Sequence, residues 1–248
     1  MHRVVDAIAQ ARSIVALTGA GVSAESGLAT FRTGPDAWWK GRDPMTLATP
    51  EAFERDPALV SEWYEMRRQQ ALAAVPNPGH LALARLQSWC AARDTRFTLL
   101  TQNVDRLHHR AGATDVIELH GTIMRWRCTR TEREMDAPAE GVGSFPIPSP
   151  FHSGGLMRPA VVWFGEALPE PAVRAAHDAV AHCDLFLSIG TSGVVYPAAG
   201  YLQQASARGV SSIEINPDQT QMSDRVTFSL RARSGEALPT ILAMLEPH

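Results

Sequence analysis

The feature that most constrains this chain is the junction between an apolar run, SIVALT (Ser13–Thr18), and the stretch GAGVSAESGLATFR (Gly19–Arg32). A buried strand that exits through two closely spaced glycines lets backbone N–H groups and a helix N-terminus approach an anion, as in nucleotide-binding α/β proteins. The spacing Gly19-x-Gly21-x-x-Ala24 fits the dinucleotide fingerprint in its Gly/Ala form. The residues after this loop do not fit a dehydrogenase. No second strand ending in Asp or Glu appears about 20 residues on, where a ribose-binding acid is expected. The chain runs instead through Phe31-Arg32 into Trp38-Trp39. A nucleotide is expected at this loop, with chemistry other than hydride transfer.

Short β-branched and apolar runs recur at Ile14–Thr18, Phe97–Thr101, Val116–Leu119, Ala160–Phe164, Leu185–Ile189, Ser212–Ile215 and Val226–Leu230. Helical patterns lie between several of them: one begins at Pro78-Gly79, one at Pro171, and one covers Gly235–Leu245. Strands alternating with helices predict a mostly parallel sheet covered on both faces. Two stretches interrupt the rhythm. Residues 33–75 contain no good strand but hold a long helical segment after Asp56-Pro57, and 122–157 is rich in proline and glycine with little periodicity. Segments of that length inside a compact domain form subdomains or carry function. The expected organisation is one catalytic domain over 1–248, with a large lobe of 1–32, 76–121 and 158–248 and a small lobe of 33–75 and 122–157.

The bulk numbers narrow the class. A chain of 248 residues with a formal net charge of -3 is not built to coat nucleic acid. No apolar run approaches the roughly 18 residues of a membrane span. The N-terminal MHRVVDAIAQARS reads as an amphipathic helix and not as a signal peptide. Three scattered cysteines, Cys90, Cys128 and Cys183, make no disulfide framework. A soluble, cytoplasmic protein with no nucleic-acid or membrane partner is expected.

Four polar signals sit at strand ends. TQNVD (Thr101–Asp105) offers an amide and a carboxylate where open α/β sheets place their ligand crevice, although Asn103 can equally cap a helix starting at Val104. ELHG (Glu118–Gly121) ends a strand with His120 before a glycine exit, and a lone histidine is more often structural. Gly190-Thr191-Ser192 comes after LFLSI and can be a simple turn; Asn216 comes after SSIEI, and Asn-Pro also starts turns.

Taken together with GAGVSAESG-x-x-x-FR, the motifs TQNVD-x-LH-x-x-AG, ELHG, RP-x-VVWFGE, GTS-x-x-VYPAA and IN resemble the sirtuin family of NAD-dependent protein deacylases. The resemblance covers nearly the whole chain, in the family's order and approximate spacing. It implies an α/β fold: a Rossmann-like large domain with an inserted small domain, and NAD between them. It places Gly19, Ala20, Gly21, Glu25, Ser26 and Gly27 along the dinucleotide and Phe31 and Arg32 by the nicotinamide ribose. Gln102, Asn103 and Asp105 are implied to contact ribose and carboxamide, and Gly190, Thr191, Ser192 and Asn216 the adenosine half. His120 is implied to be the catalytic base, with Asn103 also in the catalytic set. Val162, Trp163, Phe164 and Gly165 resemble the segment that pairs with an extended substrate peptide. NAD is then consumed: the acyl-lysine carbonyl oxygen attacks the ribose carbon as nicotinamide leaves, and the products are free lysine and an acylated ADP-ribose. An imidazole suits the base because its unperturbed pKa of about 6.5 leaves much of it neutral at pH 7.

The sequence departs from the family in the small lobe. Where many sirtuins hold zinc through two Cys-x-x-Cys pairs, the matching positions are Cys128, Thr131, Pro150 and Ser153. Structural zinc takes four ligands, mostly Cys or His, and His152 does not restore the set, so no zinc is expected. A second special feature is WYEMRR. Tyr64 and Arg67 share one helical face, which on its own describes an ordinary surface helix. In the sirtuin frame the pair resembles the Tyr-x-x-Arg of members that remove succinyl and malonyl groups, and Ala48 matches the small residue that leaves room for the longer acyl chain. The expected partner is acylated lysine in proteins or peptides. A protein ADP-ribosyltransferase and a non-catalytic NAD or ADP-ribose sensor are the alternatives.

Overall fold

The computed structural model describes residues 1–29, 43–193, 196 and 198–246. The chain opens with α1 (His2–Gln10), β1 (Ser13–Thr18) and the short α2 (Ala20–Ala24). Four helices come next: α3 (Pro44–Leu47), α4 (Pro50–Arg55), α5 (Pro57–Ala73) and α6 (Pro78–Ala91). Then come β2 (Arg96–Thr101), α7 (Leu107–Arg110), β3 (Ile117–Glu118), β4 (Gly121–Cys128), β5 (Glu134–Asp136), β6 (Ile147–Pro148) and β7 (Leu156–Val161). The rest comprises α8 (Glu170–His182), β8 (Leu185–Ile189), α9 (Ala198–Ala207), β9 (Ser211–Ile215), β10 (Phe228–Leu230) and α10 (Ser234–Leu245).

Six strands form one sheet in the order β10-β9-β8-β1-β2-β3, with every pairing parallel. Strand β1 is central. The chain builds outward from it to one side through β2 and β3, then returns to its other side with β8, β9 and β10. The order therefore reverses between β1 and β8, and a switch point of this kind opens a crevice beyond the strand ends. Alternation along each strand feeds two cores. Ile14, Ala16, Leu99, Leu187 and Ile213 pack toward α1, α6 and α10, whereas Val15, Leu17, Leu100 and Phe186 pack toward α8 and α9. Each such fully buried side chain contributes about 1.5–3 kcal/mol.

A second sheet, antiparallel, has the order β5-β4-β7-β6. Its residues Ile123 and Val161 pack with Leu47, Phe53, Val60, Trp63 and Tyr64 from α3, α4 and α5 in one apolar cluster. Helix α5 starts where Asp56-Pro57 predicts: the Asp56 carboxylate accepts the Leu59 N–H at 3.0 Å, and proline occupies the first turn. Two expectations need correction. The strand predicted over Ala160–Phe164 is β7, Leu156–Val161, and Trp163 and Phe164 lie beyond its end. The stretch 122–157, read as aperiodic, contains most of this sheet; β4 alone runs for 8 residues. Among the described residues no helix is long and apolar enough to cross a membrane.

Two histidines lie buried beneath the strand ends. His108 Nε2 stands 2.9 Å from Thr18 Oγ1, which donates to Thr101 Oγ1 at 2.9 Å. His80 Nδ1 accepts the Asn77 N–H, and the two imidazole rings are 4.8 Å apart. Burial pushes His80 down to about 4 and His108 down to about 3. Both are therefore neutral when folded, while the unfolded chain takes up protons below about pH 6.5. Stability falls wherever the unfolded state binds more protons as the pH is lowered. Denaturant unfolding should thus show a loss of about 2 kcal/mol per histidine between pH 6.5 and 4.5. His108→Gln, which does not titrate, should remove about half of that slope; an unchanged slope would mean His108 is not held neutral.

Candidate active site

The C-terminal ends of β1, β2, β3, β8 and β9 open on one edge, so the glycine loop, TQNVD, ELHG, GTS and Asn216 come together there. The loops after β1 and β8 meet first. Gly19 N–H donates to Ile189 O at 3.0 Å and Gly21 N–H to Gly190 O at 2.8 Å. A Cβ on Gly21 would lie 2.8 Å from Gly190 O, and one on Gly190, whose φ is +59, would lie 2.6 Å from Val22 N. Gly21 and Gly190 are thus required by the approach of one loop to the other, as is Gly19, where a Cβ would lie 2.8 Å from Gly190 O. Gly27 differs: its φ is +83, and a Cβ there would meet nothing within 4 Å.

Asn103 does not cap a helix from Val104; α7 begins at Leu107. Its Nδ2 donates to Gly19 O and to Ser23 Oγ, each at 3.0 Å. Both amide hydrogens are thereby committed, and Oδ1 is left as an acceptor. The Ser23 hydroxyl donates to Asp105 Oδ2 at 2.7 Å, and Asp105 Oδ1 accepts the Leu107 N–H at 2.8 Å. The Asp105 carboxylate therefore joins α2 to the start of α7. Sequence reading missed Ser23. Its signal was local, a hydroxyl one turn into the glycine loop, but its partners arrive from the loop after β2.

His120 lies between β3 and β4, with Nδ1 3.0 Å from Gln102 O. A carbonyl only accepts, so Nδ1 carries the proton and Nε2 of the neutral ring is free of one. Burial lowers the pKa, and the Gln102 carbonyl partly offsets it by favouring the charged form. Gly121, at φ +69, turns the chain sharply away; a Cβ there would lie 2.2 Å from Ala160 O. The far end of the crevice is cross-braced. Gln102 Nε2 donates to Thr191 Oγ1 at 3.2 Å, and Asn216 Nδ2 to Thr191 O at 3.0 Å. Behind Asn216 the buried Glu214 accepts from Thr220, from Ser223 at 2.6 Å and from Ser229 at 2.9 Å, fixing the loop after β9. Ser192 is exposed beside them. Glu25 and Ser26 face the protein: Glu25 accepts from Ser234 Oγ at 2.6 Å and Gly235 N–H at 3.0 Å, and Ser26 Oγ accepts from Asn77 Nδ2 at 2.9 Å. Ala20 opens α2. Phe31 and Arg32 lie outside the described residues.

On the other side of His120, Val162 N–H donates to His120 O and Phe164 N–H to Ala48 O, each at 2.9 Å. Trp163 is buried against Phe53, with ring centroids 5.3 Å apart, and against Tyr64 at 6.3 Å. Phe164 is exposed and Gly165 adopts φ +88. Ala48 and Tyr64 belong to the same buried cluster. The Arg67 guanidinium stands 5.0 Å from the Trp63 ring and 5.9 Å from the Tyr64 ring. Burial pushes the Tyr64 phenol up to about 12, against the opposing effect of the Arg67 charge, so it stays a neutral hydroxyl. Burial lowers the Arg67 pKa, while Tyr64 and Asp105 act in the other direction.

The polar groups suit a dinucleotide with an exposed ribose: two acceptors, Asn103 Oδ1 and His120 Nε2, stand at the switch point, beside the Gly19–Gly190 junction. For zinc the residues do not suffice. Among the described residues no group of three His, Cys, Asp or Glu can hold a metal ion. Cys128 is buried with its sulfur accepting the Arg130 N–H at 3.4 Å. Burial raises its pKa, but hydrogen bonds from Ser149, Thr131 and the local backbone prevail and bring it to about 7.

Known proteins share this sequence pattern and fold. The Sir2 family profile matches residues 19–197. NAD-dependent protein deacylase 1 of Pseudomonas aeruginosa is 47% identical over 254 residues, covering 100% of both chains. The mitochondrial NAD-dependent protein deacylase sirtuin-5 of Canis lupus familiaris is 40% identical, over 97% of this chain and 83% of its own. A crystal structure of a Sir2 homologue in complex with NAD superposes with a TM-score of 0.92 at 40% identity, covering 99% of this chain and 93% of that one. With the family's match spanning most of the chain and relatives of 40% identity or more covering nearly all of it, this protein belongs to the Sir2 family.

Proposed function

We propose that this protein is an NAD-dependent protein lysine deacylase, with His120 as its base and a preference for succinyl and malonyl over acetyl groups. The observation that carries the reading is the His120 tautomer. Its Nδ1 proton is fixed on the Gln102 carbonyl, which leaves Nε2 to accept a proton at the edge where the crevice opens. NAD, when bound, supplies a ribosyl carbon whose nicotinamide substituent can leave. Asn103 presents Oδ1 to the sugar because its amide hydrogens are spent on Gly19 and Ser23. Gly27, with open space above it, lines the dinucleotide, and Thr191, Ser192 and Asn216 form the adenosine end. Glu25, Ser26 and Asp105 act on the cofactor through the backbone they hold in place. The lobe division into 33–75 and 122–157 against the remainder belongs to the same reading and puts the acyl pocket beside α5.

The segment Val162–Gly165 receives the peptide. The N–H groups of Val162, Trp163 and Phe164 and the Trp163 carbonyl are committed within the chain, so pairing falls to the segment's remaining backbone groups. The acyl chain passes Ala48 toward Tyr64 and Arg67. There a terminal carboxylate meets a neutral phenol and a guanidinium, whose planar fork matches it in two-point contact. An acetyl group brings no acceptor to that end.

Nicotinamide release that depends on an acylated peptide tests the activity itself. His120→Ala should retain NAD binding and lower turnover by about 10²–10⁴-fold, the usual contribution of a general base. Near wild-type turnover at saturating NAD would remove His120 from the role.

The acyl preference is tested on one peptide bearing acetyl-, malonyl- or succinyl-lysine. Two hydrogen bonds to a charged group predict about 10²–10³-fold in kcat/KM for the acidic acyl groups. Arg67→Met should abolish most of this while sparing deacetylation. An equal fall in both activities would make Arg67 a structural residue of α5.

A further inference from the structure

We propose that Arg158 and Glu166 are a positioning pair that pins both ends of the segment Val162–Gly165 and so presets the surface that receives the acyl-lysine peptide. The two residues stand eight apart in sequence and close a loop around the segment. Arg158 Nη1 donates to Glu166 Oε1 at 2.5 Å and Nη2 to Oε2 at 2.9 Å, a two-point contact. The same Nη2 donates to Val161 O at 2.9 Å, which fixes the entry to the segment. Glu166 Oε2 accepts the Trp163 N–H at 2.8 Å, which fixes its middle. Glu166 N–H donates to Trp163 O at 3.0 Å, and Gly165 at φ +88 permits that turn.

The guanidinium also lies against the indole, its carbon 3.2 Å from the centroid of the Trp163 ring. Trp163 in turn touches Phe53 and Tyr64, so the pair sets the wall of the acyl pocket as well as the peptide edge. Arg158 is 8% exposed, and a second cation, Arg127, stands 4.0 Å from Glu166. A buried guanidinium paired with a partly exposed carboxylate acts on its surroundings more strongly than a surface pair does, and good geometry offsets its desolvation. The segment they hold reaches the surface: Phe164 faces solvent while Val161 and Trp163 are buried. Val162 N–H meanwhile rests on His120 O, a backbone contact that the pair does not make, so the entry to the segment keeps its place beside His120 when the pair is weakened.

This inference rests on the reading of Val162–Gly165 as the peptide-binding segment. The test compares wild type, Glu166→Gln and Arg158→Lys in steady-state kinetics, with NAD saturating and the acyl peptide varied, and then the reverse. Glutamine keeps an acceptor for the Trp163 N–H but loses the charge; lysine keeps a charge but loses the fork and the contact with the indole face. Both variants should raise the peptide KM by about tenfold while the NAD KM and kcat stay within about twofold. A peptide KM unchanged in the folded variants overturns the pair's role. So does a parallel loss in peptide KM, NAD KM and kcat, which marks general destabilisation. If Arg158→Lys does not fold, the near-isosteric Glu166→Gln decides alone. Absence of acyl-dependent nicotinamide release in wild type is a different failure, and it removes the deacylase reading itself.

Discussion

The contact on which the remaining structure depends runs from backbone to backbone. Strands β1 and β8 are neighbours across the point where the sheet reverses its order, and their exit loops have to share one small space. They do so because Gly19, Gly21 and Gly190 carry no Cβ, and the Gly21 N–H reaches Gly190 O at 2.8 Å. Once that junction is made, Gly19 O faces Asn103 and Val22 O faces Asn77, each accepting an amide N–H. The loop is thereby tied to the end of β2 on one side and α6 on the other. The crevice is a consequence of this closure, and its polar groups are oriented before any ligand enters, which is how preorganised sites avoid reordering costs on binding.

The candidate site divides by the kind of force that shapes it. At the nucleotide end, side chains mostly brace one another: Gln102 on Thr191, Asn216 on Thr191, Ser23 on Asp105. At the other end, beside Ala48 and Tyr64, aromatic rings and two arginines are packed into an apolar cluster shared by α4, α5 and the second sheet. Hydrogen bonds give the first end direction, and packing gives the second its shape. His120 belongs to both. Its ring is held by Gln102 O from the first end, and its carbonyl receives Val162 N–H from the second.

The sequence made the sheet legible because its strands are short, apolar and bounded by polar residues. Leu185–Ile189 stands where the run LFLSI predicts, and α1 buries Val4, Val5 and Ile8 as its spacing requires. It misled at Ala160–Phe164, where VVWF reads as strand. The run leaves the sheet after Val161, where Arg158 and Glu166 close a loop around it, and an ion pair of this kind leaves no periodic trace. The second sheet was obscured for a related reason. Its pairing is antiparallel with a register shift between Thr122 and Trp126, and the intervening loop of prolines and glycines masks the alternation in β4. For the site, the motifs identified which residues meet but not what each atom does. Glu25 reads as part of a nucleotide loop, yet its carboxylate turns away from the crevice to α10.

That carboxylate has a consequence for how the protein is made. Glu25 accepts hydrogen bonds from Ser234 and Gly235, and the latter is joined to the chain 210 residues later. A Cβ on Gly235 would come within 2.6 Å of Glu25 Oε2, so the fit is tight as well as polar. During synthesis the glycine loop therefore emerges early but waits for α10 before its last support is in place. Strand β1 waits likewise for β8, which closes its second edge. A loop made early in the fold is thus completed by a helix that lies 210 residues further along the chain.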